Sequence, residues 1–491
     1  MATKPAPSMP EPYDLLIVGG GVNGTAIARA AAVAGQRVLL VEQGDLAQGT
    51  SSASTKLMHG GLRYLEYHEY KLVREALAER AVMLRTAPHI VWPLEFRLPH
   101  MPSMRPWPIV RMGLWLYDLF ALGGGLPRSR GIRLDDPALV QNGGRGFSYW
   151  DGWVDDARLV VLNAMDAAEA GAETRTRTRL EAAQRAADQW AVTLRDATGV
   201  DQVVARTIVN AAGPWVEQVL HGRLGQNDGS HIRLVRGSHV VVKRCLTGDH
   251  AWLLQQPDGR IVFAIPYLDD FTLIGTTEVT VNDPTDTKIA PAEIAYLLDA
   301  ANRYLRTPLR EEAIVGSYGG IRPLVDDGTQ AASAVSRDYR LELDRKGAPL
   351  LSVFGGKITT ARHLAQAALE RLGIEGGDTR ARALPGGDIG DFGAFLASVR
   401  ARWPFLDEPV ARRMAHAYGS RIGTLLGDAC ASDDLGTDFG AGLRGREVDY
   451  LIRHEWARSA DDIVWRRTKL GYNLDPAQVE RLGHYIRKSI A

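Results

Sequence analysis

The sequence predicts a protein of the α/β class (α+β when the whole chain is counted) with three domains. The first is a discontinuous α/β domain, because three units of strand, glycine turn and helix are scattered along the chain. The second is built on an antiparallel sheet, because residues 231–344 alternate short β-rich runs with turn signals such as "PDG" and "LDD". The third is α-helical, because the chain beyond about residue 384 is charged and helix-like.

The first strand–turn–helix unit is "YDLLIVGGGVNGTAIARAAAVAGQRVLLVE". Residues 13–18 form a short β-rich run, residues 22–34 form an Ala-rich helix that stops at Gly35, and residues 37–42 form a second strand. The second unit is "ARTIVNAAGPWVEQVL" and the third is "LLSVFGGKITTARHLAQAALERLG". We expect all three to share one Rossmann-like domain.

The order of these patterns predicts the domain boundaries. Residues 1–12 contain four prolines and no apolar run, which is typical of a disordered tail. The cofactor-binding domain takes residues 13–95, 151–225 and 345–383, the substrate-binding domain takes residues 96–150 and 226–344, and the helical domain takes residues 384–491.

A dinucleotide-binding motif follows the first strand. Gly19, Gly21 and Gly24 form GxGxxG between a strand and a helix, and the acidic residue Glu42 ends the next strand. Gly19 permits a tight turn, Gly21 lets the backbone approach a pyrophosphate, and Gly24 allows close packing of helix and strand. The N–H groups at the helix start, at Val22 and Asn23, suit a phosphate, and Glu42 suits a ribose diol.

Two further features favour FAD over NAD as the dinucleotide. The hydroxyl-rich loop "GTSSAST" supplies Thr50, Ser51 and Ser52 for a second pass along a pyrophosphate. Two distant glycine turns could close on the same ligand, and they contribute the predicted cofactor-binding residues Ala211, Gly213, Gly356, Lys357 and Ile358. A bound, extended dinucleotide fits so many contact segments better than a diffusing one.

Composition excludes several other classes of protein. Lys plus Arg and Asp plus Glu number 58 each, so the formal net charge is zero and no overall nucleic-acid-binding surface is expected. Two cysteines, Cys245 and Cys430, form no CxxC pattern, which argues against a disulfide framework or a cysteine-held metal cluster. No metal site is expected, since His59, Glu66, His68 and Glu69 have no second cluster to complete one.

No segment reaches the roughly 18–20 apolar residues of a membrane span, and the stretch from Met104 to Pro127, which is interrupted by Arg105 and Arg111, comes only partway. One interpretation is a buried helix. The other is an interfacial patch that lies on a membrane, with Trp107, Leu114, Trp115, Leu116, Tyr117, Leu119, Phe120 and Leu122 entering the headgroup boundary.

The chain resembles the FAD-dependent, membrane-associated sn-glycerol-3-phosphate dehydrogenases of aerobic bacteria, within the D-amino-acid-oxidase-like flavoproteins. The resemblance is carried by "SSASTKLMHGGLRYLE", "NAAGPWV", "RGSHVVV", "IGTTEV", "GGIRPL", "SRDYRLEL", "APLLSVFGGKITTAR" and "DDIVWRRTKLG", which run in the family's order. The calcium-binding units of the mitochondrial relatives and the cysteine-rich regions of the anaerobic relatives do not occur in this sequence.

The resemblance implies oxidation of sn-glycerol 3-phosphate to dihydroxyacetone phosphate by hydride transfer to bound FAD. It implies electron transfer to a membrane quinone, ubiquinone or menaquinone, by a homodimer. It further implies a cytoplasmic protein that is peripheral on the inner face of the cell membrane. Related oxidases share most of these motifs, so oxygen remains an alternative electron acceptor.

A phosphorylated substrate needs several cations, with Arg preferred for its fork of donors. The residues that the resemblance assigns to the substrate are Arg63, Tyr64, Arg322, Arg337, Lys357 and Thr359, of which Arg322 and Lys357 also count as catalytic. For each cation taken alone, a surface or salt-bridge role is the alternative. Thr359 could instead cap a helix.

His239, in "RGSHVVV", is the predicted catalytic base, since a neutral imidazole can accept a proton near pH 7. A structural role in its strand is the alternative. Lys56, His59 and Gly60 are predicted to lie beside the flavin, with His59 holding its loop.

Three rival functions remain for comparison. A flavin amine or amino-acid oxidase would want one carboxylate-binding Arg and an apolar pocket. A silent flavin-binding sensor or scaffold would bind flavin without turnover. An NAD-dependent dehydrogenase would bind nicotinamide reversibly and be colourless.

Overall fold

A computed structural model describes residues 11–101, 105–227, 229–326 and 338–490, except the side chains of Arg63, Glu66 and Tyr67. Residues 1–10 of the predicted tail and the predicted substrate-binding residue Arg337 lie outside the described residues. Within the described residues, no helix is both long and apolar enough to cross a membrane.

The described chain contains twenty strands and twelve α-helices. The strands are β1 (Tyr13–Val18), β2 (Val38–Val41), β3 (Leu57–Met58), β4 (Val91–Pro99), β5 (Arg130–Arg133), β6 (Arg145–Val154), β7 (Glu173–Arg175), β8 (Arg179–Arg185), β9 (Trp190–Asp196), β10 (Gly199–Asn210), β11 (Ile232–Lys243), β12 (Ala251–Gln255), β13 (Ile261–Tyr267), β14 (Phe271–Gly275), β15 (Val279–Val281), β16 (Ile314–Val325), β17 (Tyr339–Asp344), β18 (Leu350–Gly355), β19 (Asp438–Gly440) and β20 (Leu443–Arg444).

The helices are α1 (Val22–Val33), α2 (Tyr70–Thr86), α3 (Trp107–Phe120), α4 (Asp156–Glu169), α5 (Val216–Gly222), α6 (Pro291–Asn302), α7 (Ala361–Leu372), α8 (Phe392–Arg402), α9 (Glu408–Tyr418), α10 (Ile422–Leu426), α11 (Gly445–His454) and α12 (Pro476–Ile490). Five of them, α8–α12, and the hairpin β19–β20 form the C-terminal region, whose apolar side chains make a core of their own. The predicted helical domain therefore also contains a small hairpin.

The first sheet joins the three strand–turn–helix units. Its order is β17-β18-β10-β1-β2-β7, and the five strands from β18 to β7 are parallel. Successive residues of β1 enter two different cores: Leu15 and Ile17 pack with α1, α4 and α7, whereas Leu16 and Val18 pack with β9 and α5. Burial on both faces explains why β1 and β2 are almost wholly apolar.

The second sheet is mainly antiparallel, as predicted, with the order β15-β11-β14-β13-β12-β4-β6-β3. Strand β16 pairs with β11 over its whole length, from Ile232 opposite Val325 onward. Only the pairing of β12 with β4 among these neighbours is parallel. This sheet places the end of β16 beside the glycine turns of the first sheet.

Several strands lie on the other side of the predicted boundaries. Strands β3 and β4 belong to the second sheet although β3 and the start of β4 fall in the range 13–95. Strand β6 crosses the boundary at residue 150, and β17 pairs with β18 of the first sheet although it falls in the range 226–344. The sequence of one strand does not show which strand it pairs with, because the pairing also depends on residues far away in the chain.

Helix α3 is neither wholly buried nor wholly exposed. Leu114 and Tyr117 are buried, and Trp107 stacks on Phe147 with ring centroids 3.8 Å apart. The prediction that Trp107, Leu114 and Tyr117 face a membrane is therefore wrong, because these side chains cover the second sheet. The opposite face carries exposed apolar side chains.

Candidate functional site

A cavity of about 1080 Å³ lies where the carboxyl ends of the parallel strands meet the second sheet. Four turns that follow β1, β2, β10 and β18 line it, which is the usual binding crevice of an open parallel sheet. Its other wall includes Gly237, Thr276 and Arg322 from the second sheet. Predicted site residues in the wall are Gly19, Gly21, Val22, Asn23, Glu42, Thr50, Ser51, His59, Tyr64, Ala211, Gly213, Arg322, Gly356, Lys357, Ile358 and Thr359.

The glycines of the first turn serve different purposes. Gly19 has φ of +113°, and a Cβ there would lie 2.5 Å from the carbonyl oxygen of Ala211. A Cβ on Gly24 would lie 1.9 Å from the carbonyl oxygen of Gly19, so Gly24 permits helix packing and does not face the cavity. A Cβ on Gly21 would meet only Ser51 Oγ, at a tight 3.2 Å, so that a small shift of this side chain could accommodate it. Gly21 lines the cavity, where a residue without a side chain fits close approach of a pyrophosphate.

Glu42 holds the turn after β2 against the first glycine turn. Its carboxylate accepts hydrogen bonds from the backbone N–H of Gly20 at 2.7 Å and of Gly44 at 2.8 Å. Burial raises the pKa of Glu42, and these two hydrogen bonds act in the opposite direction. Glu42 also lines the cavity, where its remaining lone pairs could accept hydrogen bonds from a ribose.

The hydroxyl-rich loop shapes the cavity as much as it lines it. Ser51 Oγ accepts a hydrogen bond from the backbone N–H of Val22 at 3.0 Å, so it satisfies a donor at the start of α1. Thr50 Oγ1 donates to the carbonyl oxygen of Ile321 at 2.5 Å and ties the loop to β16. Ser52 is not among the described lining residues; its carbonyl oxygen accepts from Lys56 Nζ at 3.1 Å.

Lys56 and Gly60 also stand behind the wall rather than in it. Lys56 is buried and pairs with Asp156 at 2.9 Å, and burial lowers its pKa to about 8. Gly60 donates its backbone N–H to the Tyr117 hydroxyl at 2.9 Å, and a Cβ there would lie 2.7 Å from Leu77. Internal packing against α2 and α3 thus accounts for Gly60. His59 does line the cavity.

Basic and hydroxyl side chains also line this cavity. Lys357 Nζ lies 4.1 Å from the centroid of the Tyr64 ring, and Arg322 NH2 donates to Thr276 Oγ1 at 3.1 Å. The structure therefore brings Tyr64, Arg322, Lys357 and Thr359 to one cavity. Thr359 does not cap α7, whose N-cap residue is Thr360 without a side-chain capping bond.

His239 is fully buried and stands one residue behind the cavity. Its Nε2 lies 3.0 Å from Thr55 Oγ1, and Thr55 lines the cavity whereas His239 is absent from the described wall. Its ring stacks on Tyr318 at 4.9 Å and against Gly275. Burial, followed by the charges of Arg322 and Lys56, holds the pKa of His239 well below its usual range. The imidazole is therefore neutral at neutral pH.

Two functional candidates were missed by the sequence analysis. Thr55 separates His239 from the cavity, and Thr276 hydrogen-bonds Arg322. Both lie in motifs that carry the family resemblance, "SSASTKL" and "IGTTEV", so their place in these motifs was the signal that could have identified them. In the ranges that the structure describes, no cluster of three or more His, Cys, Asp or Glu side chains is placed to hold a metal ion.

The chain matches the family model of FAD-dependent oxidoreductases over residues 14–362. Residues 377–484 match the C-terminal domain of alpha-glycerophosphate oxidase. A solved structure of glycerol-3-phosphate dehydrogenase from Bacillus halodurans, complexed with FAD, is similar with a TM-score of 0.75 and 25% identity, and the match covers 98% of this chain and 95% of that one.

Curated relatives match over almost their whole length. Glycerol-3-phosphate dehydrogenase of Pseudomonas aeruginosa is 48% identical, covering 99% of this chain and 97% of the relative. The aerobic glycerol-3-phosphate dehydrogenase of Escherichia coli K12 is 48% identical, covering 97% of each. D-erythritol 1-phosphate dehydrogenase of Brucella abortus is 46% identical, covering 96% of each. The chain belongs to the FAD-dependent oxidoreductase family, with FAD as its cofactor.

Proposed function

We propose that this protein oxidises sn-glycerol 3-phosphate to dihydroxyacetone phosphate and passes the electrons to a membrane quinone. The observation that carries the proposal is that Tyr64, Arg322 and Lys357 line the same cavity as the glycine turns of the predicted dinucleotide site, with Lys357 Nζ 4.1 Å from the Tyr64 ring centroid. FAD, when bound, supplies the acceptor for the hydride that leaves the substrate carbon. The family supports the cofactor, and the names of the relatives support the substrate.

The basic side chains bind the phosphate. Arg322 offers a guanidinium fork whose orientation is fixed by Thr276, and Lys357 adds a second cation. The Tyr64 hydroxyl can donate a further hydrogen bond. An amino-acid oxidase would need only one cation for its carboxylate, so two cations beside a hydroxyl favour a phosphorylated substrate. Arg63 and Arg337 remain predicted additions to this group.

His239 takes the proton of the substrate hydroxyl by way of Thr55. The Thr55 hydroxyl can accept a proton from the cavity side while it donates to Nε2, because the two heavy atoms are 3.0 Å apart. That arrangement puts the ring proton of neutral His239 on Nδ1, which has no hydrogen-bond partner among the described residues. The depressed pKa of His239 keeps the ring neutral at neutral pH, so that Nε2 is an acceptor of low basicity in this proton transfer.

Reduction of a soluble dye by the holoenzyme tests the substrate. We expect turnover with glycerol 3-phosphate, weak turnover with glycerol, and poorer turnover with erythritol 1-phosphate, the substrate named for the Brucella relative. Better turnover with erythritol 1-phosphate would replace the proposed substrate while keeping the phosphate site. No turnover with any of them would support a flavin-binding scaffold instead.

Helix α3 carries the proposed membrane contact. Its outward face presents Met112 at 64% and Trp115 at 58% exposure, together with Ile109 and Leu119, and the turn that follows the helix adds Leu122 at 62% exposure. The spacing of these residues, three or four apart, makes one continuous apolar stripe. We propose that the stripe enters the headgroup boundary on the cytoplasmic face, where a quinone can be reached. The homodimer implied by the family resemblance also stays a prediction.

The double variant Met112→Glu with Trp115→Glu tests this contact. Two charges on the stripe should release the protein from anionic vesicles in a flotation assay and slow quinone reduction at least about tenfold. Reduction of a soluble dye should be unchanged, because neither residue lines the cavity. Val200→Glu, at an apolar residue on β10 that is 50% exposed, is the matched control and should float. Flotation of the double variant would contradict the placement.

A further inference from the structure

A segment of the C-terminal region, Asp462–Lys469, reaches the loops of the cofactor cavity from behind. It begins as a π-helical turn, Asp462–Arg467, and lies within the quoted motif "DDIVWRRTKLG". Arg466, Arg467 and Lys469 are absent from the described cavity wall, so the described structure gives them no direct contact with a bound cofactor. Their partners nonetheless include two buried carboxylates beside the loops of that wall, Asp45 and Asp156.

The first carboxylate is Asp45, in the turn that follows β2. Arg467 grips it with two donors, NH1 to Oδ2 and NH2 to Oδ1, both at 2.8 Å. Arg466 Nε adds a third bond at 2.5 Å. Asp45 is 1% exposed, and the neighbouring residues Glu42 and Gly44 line the cavity. A charge this deeply buried is stable in the fold only while its partners remain.

The second carboxylate is Asp156, at the start of α4. Lys469 Nζ donates to its Oδ1 at 3.1 Å. Its Oδ2 accepts from Ser54 Oγ at 2.8 Å and from Lys56 Nζ at 2.9 Å. The three charged side chains are buried, and the charges of Lys469 and Lys56 hold the pKa of Asp156 below its usual range against the effect of burial. Lys469 thus fixes the loop residue Ser54 through one shared carboxylate.

Asp45 and Ser54 lie near the two ends of residues 42–56, and this stretch of the chain forms one side of the cavity. We propose that the segment Asp462–Lys469 positions the cofactor-binding run 42–56, so that the affinity for FAD depends on the C-terminal region. Arg467 and Lys469 are then positioning residues that act through Asp45 and Asp156. This gives the C-terminal region a role at the cofactor site besides any partner it binds.

Simple anchoring between two parts of the chain is the competing explanation. Arg158 and Glu455 already provide such an anchor, since Arg158 NH2 donates to Glu455 Oε1 at 2.9 Å and Arg158 Nε donates to the carbonyl oxygen of Ala417 at 3.0 Å. Those contacts touch no cavity-lining residue. Arg467 NH2 also donates to the Glu455 carbonyl oxygen at 2.6 Å, so Arg467 joins this anchor to Asp45. Anchoring alone does not account for the pairing of Lys469 with Asp156, which also holds the cavity-lining residue Ser54.

The test compares FAD binding in full-length variants. FAD is removed from Arg467→Gln and Lys469→Met, and the dissociation constant is measured from quenching of flavin fluorescence at a temperature where circular dichroism shows folded protein. Arg413→Gln is the matched control, because Arg413 binds buried Glu447 at 2.7 and 2.8 Å within the C-terminal region. We expect at least about tenfold weaker binding in the first two variants, recovery in Lys469→Arg, and a change below about twofold in the control.

Equal FAD affinity in folded Arg467→Gln, Lys469→Met and wild type would overturn the proposal, as would an equal loss in Arg413→Gln. Wild-type protein provides a second measurement that needs no variant to fold. Because coupling is reciprocal, FAD added to the apoprotein should slow amide hydrogen exchange in 462–469 as well as in 42–56. Helix α12 should not change. Protection confined to 42–56 would also overturn the proposal.

Discussion

Two parts of the cavity lining differ in what they contribute. The glycine turns that follow β1, β10 and β18 contribute lining residues without side chains, and we call them the glycine part. Tyr64, Arg322 and Lys357 contribute side chains from segments far apart in the sequence, and we call them the side-chain part. A substitution in a glycine turn disturbs the fold where a Cβ would clash, whereas a side chain of the lining can be shortened without such a clash.

The largest expected effect is a loss of stability caused by a steric clash at the first glycine turn. Gly24→Ala should destabilise the apoprotein by about 3 kcal/mol or more, because the new Cβ would lie 1.9 Å from the carbonyl oxygen of Gly19. Gly21→Ala, whose Cβ would meet only the Ser51 hydroxyl at 3.2 Å, should change stability by only about 1 kcal/mol yet weaken FAD binding at least about tenfold. Urea unfolding of apoprotein and flavin absorbance measure the two quantities. Equal stabilities of the two variants would contradict the packing role of Gly24.

The difference between the glycine turns and the side chains from distant segments also explains how much of the site could be predicted from the sequence. Gly19, Gly21, Gly24 and Glu42 were found because the turn, the helix start and the acidic residue follow one another in the chain. The position of His239 behind Thr55 could not be found, because the pairing of β11 with β14 and β16 decides it.

The local sequence pattern also gave no information about contacts between residues that are far apart in the sequence. Lys56 looked like a flavin contact beside a glycine pair, but its charge is neutralised by Asp156, which is 100 positions away. Similarly, β17 looks like any other β-rich run, and only its ladder with β18 places it in the first sheet.

A smaller effect, on kcat/KM, is expected in the side-chain part of the cavity lining. Arg322→Ala should lower kcat/KM for glycerol 3-phosphate by about 10–150-fold, the equivalent of about 1.5–3 kcal/mol for a charge-assisted bond. Stability and FAD content should stay close to wild type, because the substitution removes a guanidinium group that lines the cavity and leaves the backbone unchanged. Arg322→Lys keeps the charge without the fork and should fall between the two. Equal losses with glycerol would show that Arg322 serves the fold or the flavin.

The smallest effect concerns how stability depends on pH through His239, which lies behind the lining residue Thr55. The folded-state pKa of His239 is depressed, so below about pH 6.5 the unfolded chain binds a proton that the folded chain refuses. Stability is therefore lost as pH falls. His239→Asn should reduce that loss by at most about 1.4 kcal/mol per pH unit. Urea unfolding of both apoproteins at pH 7 and pH 5.5 measures the difference, and identical losses would contradict the assignment.

The parallel sheet has a consequence for synthesis of the chain. Strand β1 pairs with β10, and β10 pairs with β18, so strands from the first and the fourth hundred residues meet in one ladder. A ribosome adds about 5–20 residues per second, so about 17–70 s separate the emergence of β1 from that of β18. The turn Gly355–Thr359 arrives last, and a nascent chain that ends before it lacks one wall of the cavity. Capture of FAD by the complete cavity is therefore a late event in synthesis.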